Sequence, residues 1–162
     1  MTDRRALRQA LGTFPTGVAV ITAQPDGHQA MGITVNSFTS VSLEPPLVLW
    51  CLDRRSERFP VFTSAEGYVI SILGTEHEEV SARLARSGSH SLSGIPLRRT
   101  ELGPPALADA LAVFECAAHA CHDGGDHAIL VGRVLRFRRH GSGAPLVFFR
   151  GAYGALSKVS ES

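Results

Sequence analysis

The sequence has no apolar run approaching the roughly 20 residues that a membrane span requires, so no membrane partner is expected. It has almost no net charge: sixteen basic residues against fifteen acidic ones leave +1 at pH 7. Such a balance gives no general reason to accumulate on nucleic acid or an anionic surface, so any ligand is held at a local site. Lysine is nearly missing, Lys158 standing beside fifteen arginines, a bias that suits a GC-rich genome better than a function. Cysteine is scarce as well. Cys51, Cys116 and Cys121 are odd in number and lack C-x-x-C spacing, and no charged-then-apolar leader opens the chain, so a reducing cytoplasm is expected. Also absent are a Walker loop, a G-x-G-x-x-G and a G-x-S-x-G elbow, which removes P-loop nucleotidases, standard Rossmann dehydrogenases and α/β-hydrolases.

What remains is ordinary globular composition, 44% hydrophobic and 19% charged over 162 residues, enough for one domain with a real core. A first helix is predicted from a Thr2 cap, with Ala6, Leu7, Ala10, Leu11 and Phe14 at helical spacing, ended by Pro15 and Gly17. Gly17 to Ala23 and Met31 to Val35 flank the turn signal Asp26-Gly27 and form a hairpin apolar on both faces. Such a hairpin belongs to a barrel or to a sheet covered from outside. Leu47 to Leu52 and Tyr68 to Leu73 add buried strands, and Glu76 to Arg86 an amphipathic helix with Val80 and Leu84 inward. Ser56 is placed as the N-cap of a helix containing Pro60. Ser87 to Pro105 is a long, lid-like surface loop, and two long strands, Leu111 to His122 and His127 to Arg139, precede a last one over Pro145 to Phe149. About seven strands and two or three helices point to a mainly β fold, a small barrel with peripheral helices.

Two groups of residues could carry chemistry. His119, Cys121, His122, Asp123, Asp126 and His127 crowd one hairpin, but strand alternation puts His119 and Cys121 on one face and His122 on the other. That supplies two convergent ligands where a tetrahedral metal needs three or four, so no metal is expected. Thr34, Asn36, Ser37, Thr39, Ser40 and Ser42 form a run of short polar side chains between buried strands. Such a run satisfies its own turns, or it lines a site for a flat heteroaromatic molecule bearing a phosphate. In the second case the helix start at Ser56, with Arg54 and Arg55, provides the anion pocket through free N–H groups and the helix dipole.

Phe14-Pro-Thr-Gly-Val-Ala-Val-Ile-Thr22, Met31-Gly-Ile-Thr-Val-Asn-Ser-Phe-Thr-Ser-Val-Ser-Leu-Glu-Pro-Pro-Leu-Val-Leu49, Gly125-Asp-His127 and Arg150-Gly-Ala-Tyr153 occur in that order. Together they resemble the short-chain flavin reductases of two-component flavin monooxygenases, over about residues 6 to 156. The resemblance implies an FMN-binding split β-barrel of Greek-key type, one domain over 1–162, usually a homodimer. It implies reduction of FMN or FAD by NADH or NADPH, with reduced flavin passed to a partner monooxygenase. Ser56-Glu-Arg-Phe-Pro-Val-Phe62 and Ser93-Gly-Ile-Pro96 look most like reductases of aromatic polyketide pathways.

By the same resemblance, Gly32, Ile33, Thr34, Val35, Asn36 and Ser37 match the segment holding the flavin ring and ribityl chain. Cys51, Leu52, Asp53, Arg54, Arg55 and Ser56 match the loop at the phosphate, and Ala85 and Arg86 a helix end that reaches the flavin. His127 matches the residue set against the nicotinamide, and Arg150 and Tyr153 lie in a segment associated with the pyridine nucleotide. Val35 stands where the family often has Ala, and Ser89-His90-Ser91-Leu92 replaces a charged-aromatic pattern. The alternatives are a flavin-binding split barrel of another class, such as a pyridoxamine-phosphate-oxidase-like enzyme or a flavin carrier, and a metal-dependent hydrolase. With no room for a nucleotide domain, flavin and NAD(P)H share one site, expected to be completed by a second subunit.

Overall fold

The computed structural model describes residues 3–140 and 143–157. The cap expected at Thr2, like Lys158, lies outside them. Asp3 does the capping, its carboxylate accepting the N–H groups of Arg5 and Ala6 at 2.9 and 3.3 Å. In chain order the elements are α1 (Arg4–Leu11), β1 (Thr16–Gly17), β2 (Ala19–Ala23), β3 (Met31–Val35), β4 (Thr39–Leu43), β5 (Pro46–Asp53), α2 (Phe59–Ser64) and β6 (Gly67–Ile72). A 3₁₀ turn at Thr75–His77 leads into α3 (Glu78–Leu84). Then come β7 (Leu97–Arg98), β8 (Ala106–Leu107), β9 (Ala112–Gly124), β10 (His127–Arg139), β11 (Leu146–Phe149) and β12 (Ala152–Ala155).

Seven strands form one antiparallel sheet in the order β3-β2-β6-β9-β10-β5-β4, so β3 and β4, neighbours in sequence, are its opposite edges. The sheet wraps onto itself. Ile33 and Val35 of β3 share one buried cluster with Val48, Trp50 and Leu52 of β5, along with Ile21, Tyr68, Ile70 and Leu130. Trp50 lies edge-on to Phe62 and Tyr68, with centroids at 5.4 and 5.5 Å. Gly132 makes room for this packing, because a Cβ there would sit 2.6 Å from the Tyr68 hydroxyl. Cys116, in the same cluster, has its thiol pushed up to about 12 by burial, which leaves it unreactive.

A second cluster covers the barrel from outside. Val18, Val20, Val69 and Leu73 meet Leu84 of α3, Leu92 and Ile95 of the following loop, and Leu146 of β11. The apolar pattern of β2 on both faces follows: Ala19, Ile21 and Ala23 point into the barrel and Val20 out of it.

The structure departs from the sequence expectations at several points. The strand expected over 17–23 splits at Val18, and β1 instead pairs with β11 in a three-stranded sheet with β12, which had not been expected. The segment 87–105 packs through Leu92 and Ile95 and carries β7, paired with β8, so it is more than a surface lid. The helix expected over 76–86 is shorter and begins as a 3₁₀ turn. α1 forms as predicted but none of its residues is buried, and Leu7, Leu11 and Phe14 are 48%, 67% and 75% exposed.

Candidate functional site

β3 has a ladder partner on one side only, and its free edge organises the site. On that edge the Gly32 N–H donates to the His90 carbonyl at 3.0 Å. Alternation along a strand turns the N–H and C=O of Thr34 the same way. Beyond it, Ser37 bridges the split between the sheet edges. Its hydroxyl accepts the Cys51 N–H at 2.9 Å and contacts the Cys51 carbonyl at 3.3 Å, at a stretch of β5 that β4 no longer covers.

Three clefts of about 370, 240 and 140 Å³ run along this edge, and Thr34 lines all of them. The middle cleft brings Ile33, Thr34, Val35, Asn36 and Ser37 against Cys51, Leu52, Asp53 and Ser56, with His127 above. The second is walled by Asp53, Arg55, Ser56, Glu57, Arg58, Ala85 and Ser87. The third reaches Phe148 and Tyr153, whose hydroxyl is 2.8 Å from Ser81 Oγ. At Asn36 and Phe148 the groove meets a cavity of about 800 Å³ under α1, lined by Leu11, Phe14, Thr16 and Arg150. Residues from at least five separated sequence segments thus meet in one groove.

Several candidates have other occupations. Gly32 does not line the groove: a Cβ there would meet Leu92 and Leu84 at 2.8 and 3.2 Å, so it is small for packing. Val35 is 8% exposed and packs in the inner core while also bordering two of the clefts. Arg54 binds Asp123 at 2.6 Å and the Gly125 carbonyl at 3.0 Å, pinning the β9–β10 turn instead of facing the clefts. Arg86 is exposed and contributes its carbonyl to the wall behind the groove.

The anion pocket is built differently from the one expected at Ser56. α2 begins at Phe59, has six residues and shows no side-chain cap. The loop before it consumes its own N–H groups: Arg54 donates to the Asp126 carbonyl, Arg55 to the Asp53 carboxylate and Ser56 to the Asp53 carbonyl. The cation at this end is Arg58, only 4% exposed. It donates to the carbonyls of Leu84 and Arg86 at 3.1 and 2.5 Å, satisfying the frayed end of α3. Its Nε is buried without a partner, and among the described residues no carboxylate pairs with the guanidinium. Burial pulls its pKa below the ordinary arginine value. Sequence reasoning passed over Arg58; the available signal was three arginines within five residues, at 54, 55 and 58, against only Asp53 and Glu57.

His127 sits opposite Asp53 in the β5–β10 register, and its Nδ1 is 2.7 Å from the Asp126 carboxylate. His127 holds that carboxyl below the usual carboxylate range, and Arg55 does the same for Asp53. An ionised Asp126 only accepts, so Nδ1 donates to it, and in the neutral ring Nε2 is then the acceptor left for a ligand. The histidine and cysteine cluster nearby is dispersed. His119 and Cys121 line a separate cleft beside Phe62 and Tyr68, and among the described residues no three His, Cys, Asp or Glu side chains form a metal-binding group. Nor is any helix among them long and apolar enough to cross a membrane.

Comparison with known proteins agrees with this architecture. The family model of the flavin reductase like domain matches residues 11–157. The chain is 45% identical over 157 residues to the FMN reductase (NADH) SmoA of Agrobacterium fabrum, covering 96% of this chain and 88% of that protein. It is 36% identical to the flavin-dependent monooxygenase reductase subunit HsaB of Rhodococcus jostii, over 95% of this chain and 78% of that one. Among solved structures it superposes with a TM-score of 0.92 on the Streptomyces globisporus NADH:FAD oxidoreductase SgcE6, in complex with NAD and FAD fragments. That pair is 33% identical and covers 98% of this chain and 96% of the other. The chain is therefore a member of the flavin reductase-like domain family.

Proposed function

We propose that this protein is an NAD(P)H:flavin oxidoreductase that reduces FMN or FAD and passes the reduced flavin to a separate monooxygenase. The observation that carries this reading is the buried Arg58, with no carboxylate partner and an unpartnered Nε, at one end of a groove whose long wall is the open edge of β3. A buried cation without a counter-ion is costly, and a phosphate dianion is the ligand that relieves it. A flat ring with hydrogen-bonding edges suits the Ile33–Asn36 wall for the same reason that a further strand would. The donor set therefore fits a flavin mononucleotide.

In this reading Arg58 and Arg55, with the Ser56 and Ser87 hydroxyls, hold the phosphate, and the backbone of Thr34 and the Asn36 amide hold the ring and ribityl chain. The bound flavin supplies the electrophilic N5 that accepts hydride. The protein contributes position and dryness. His127, its ring fixed by Asp126, offers Nε2 to the carboxamide N–H of the nicotinamide and is not itself a proton donor. Arg150 and Tyr153 border the remaining space for the nucleotide. Purified protein mixed with NADH or NADPH, with and without FMN or FAD, is followed at 340 nm. Flavin-dependent oxidation supports the reading, and its absence with every pair overturns it.

We further infer that the active form is a homodimer. The exposed Leu7 and Leu11 of α1 and Phe14 just after it, beside the cavity that joins the groove, are an unfinished apolar surface that a second copy would cover. The free thiols of Cys51, Cys116 and Cys121 suit a cytoplasmic location, where NAD(P)H and the oxygenase would be found. Oxygenases acting on aromatic compounds, polyketides among them, are the partners this reading favours.

A further inference from the structure

The relatives divide between FMN and FAD, and the groove contains a feature that bears on that choice. Glu57 lines the anion end beside Arg58, opposite Ser87. Its carboxylate accepts the Gly88 N–H and lies 3.7 Å from His90 Nδ1, a ring nitrogen buried without a hydrogen-bond partner. The strap Ser87–Ser93 is fastened elsewhere too: the His90 carbonyl accepts the Gly32 N–H, Ser91 bridges Met31, and Arg83 donates to the carbonyls of Ser91 and Ser93 at 2.8 and 3.0 Å. The strap thus covers the β3 edge at Met31 and Gly32 and leaves it open from Thr34 onward.

We propose that Glu57, Gly88 and His90 form a clasp that closes the anion end of the groove and makes the enzyme select FMN over FAD. The proposal rests on the flavin reading above. A phosphate monoester ends at Arg58 and stays inside the clasp. A dinucleotide has to continue past it, placing a second phosphate and an adenosine where the Glu57 carboxylate stands. That encounter is repulsive and cannot be relieved without breaking the Gly88 hydrogen bond. Selection acts by rejecting the longer ligand, and the strap residues make no contribution to the ring.

The test compares wild type with Glu57→Ala, Glu57→Gln and His90→Ala. Affinities for FMN and FAD come from quenching of flavin fluorescence, and kcat/KM from NADH oxidation with each. Glu57→Ala, which removes both charge and latch, is expected to raise the FAD-to-FMN ratio roughly tenfold in both measurements. Glu57→Gln keeps an oxygen for Gly88 and loses the charge, so it is expected to fall between wild type and Glu57→Ala. His90→Ala is expected to shift the ratio the same way by about threefold, and it serves if Glu57→Ala fails to fold. Ratios unmoved in the folded variants, or a wild type that already prefers FAD, overturn the clasp alone. A wild type that binds neither flavin and oxidises no NADH overturns the flavin reading and the clasp with it.

Discussion

The two ends of the groove are built on opposite plans. At the Arg58 end everything comes from one chain: a buried guanidinium, the carbonyls of Leu84 and Arg86 that position it, and a strap fastened to β3 and α3. At the α1 end the walls are apolar and open, and the side chains that line them, Leu11 and Phe14, are largely exposed. The lesson is that recognition of a charged group demands a site finished within the fold, because a desolvated ion tolerates no approximate partner. An apolar wall can wait for a second subunit, since burying it needs area and no directional bonds.

The sharpest break of that comparison is at Arg58. Arg58→Ala removes the charge from the finished end and takes a donor from the carbonyls of Leu84 and Arg86. Flavin affinity is expected to fall roughly 100-fold, corresponding to about 3 kcal/mol for charge-assisted contacts in a dry pocket. Arg58→Lys keeps the charge without the fork and is expected to lose about tenfold. Flavin fluorescence measures both, with circular dichroism to verify folding; unchanged affinity in a folded Arg58→Ala contradicts the anion pocket.

The open end is tested by charge. Leu11→Glu and Phe14→Glu put carboxylates at the exposed end of α1 and in the turn after it, where a monomer tolerates them and an apolar dimer contact does not. Light scattering is expected to show wild type as a dimer and the double variant as a monomer, with kcat/KM lower by about tenfold. A double variant that stays dimeric removes α1 from the interface.

The same contrast explains what was legible in the sequence. Strands with apolar side chains on both faces announced themselves, because Val18 to Ile21 and Leu47 to Leu52 have no polar residue and Tyr68 to Leu73 only Ser71. The Asp26-Gly27 turn was equally plain, and Gly27 has the positive φ of 70° that it implies. Gly32 to Ser37 and Cys51 to Ser56 do come together along one groove, apart from Gly32 and Arg54. Arg54 escaped because its partner, Asp123, lies 69 residues away. Ser56 stands short of the helix it was expected to cap: its hydroxyl accepts the Arg58 N–H at 3.3 Å in the turn before α2, and Arg58 takes the cap position. Arg58 was missed because an arginine before a helix looks solvated until α3 is packed over it. β12 was missed because Ala152-Tyr-Gly-Ala155 has no β-branched residue, and its pairing comes from β11.

Between the two ends stands His127, and the smallest expected effects belong to its pairing with Asp126. His127→Ala is expected to raise the NADH KM or lower kcat by about tenfold while leaving flavin affinity within twofold; weakened flavin binding would move His127 to the flavin side of the site. Asp126→Asn still accepts at Nδ1 and loses the charge, so a loss of about threefold in kcat/KM is expected. Its signature on stability is the pH dependence. His127 depresses the Asp126 carboxyl in the folded protein, so the unfolded chain takes up the proton first as pH falls. The stabilisation is therefore present above about pH 4, the ordinary aspartate range, and is lost as pH drops through the depressed folded value. Asp126 is largely exposed and His127 half-exposed, which keeps the effect small. Urea midpoints of wild type and Asp126→Asn are expected to differ slightly at pH 7 and to converge below pH 4. A difference that persists undiminished well below pH 4 contradicts the contact between Asp126 and His127.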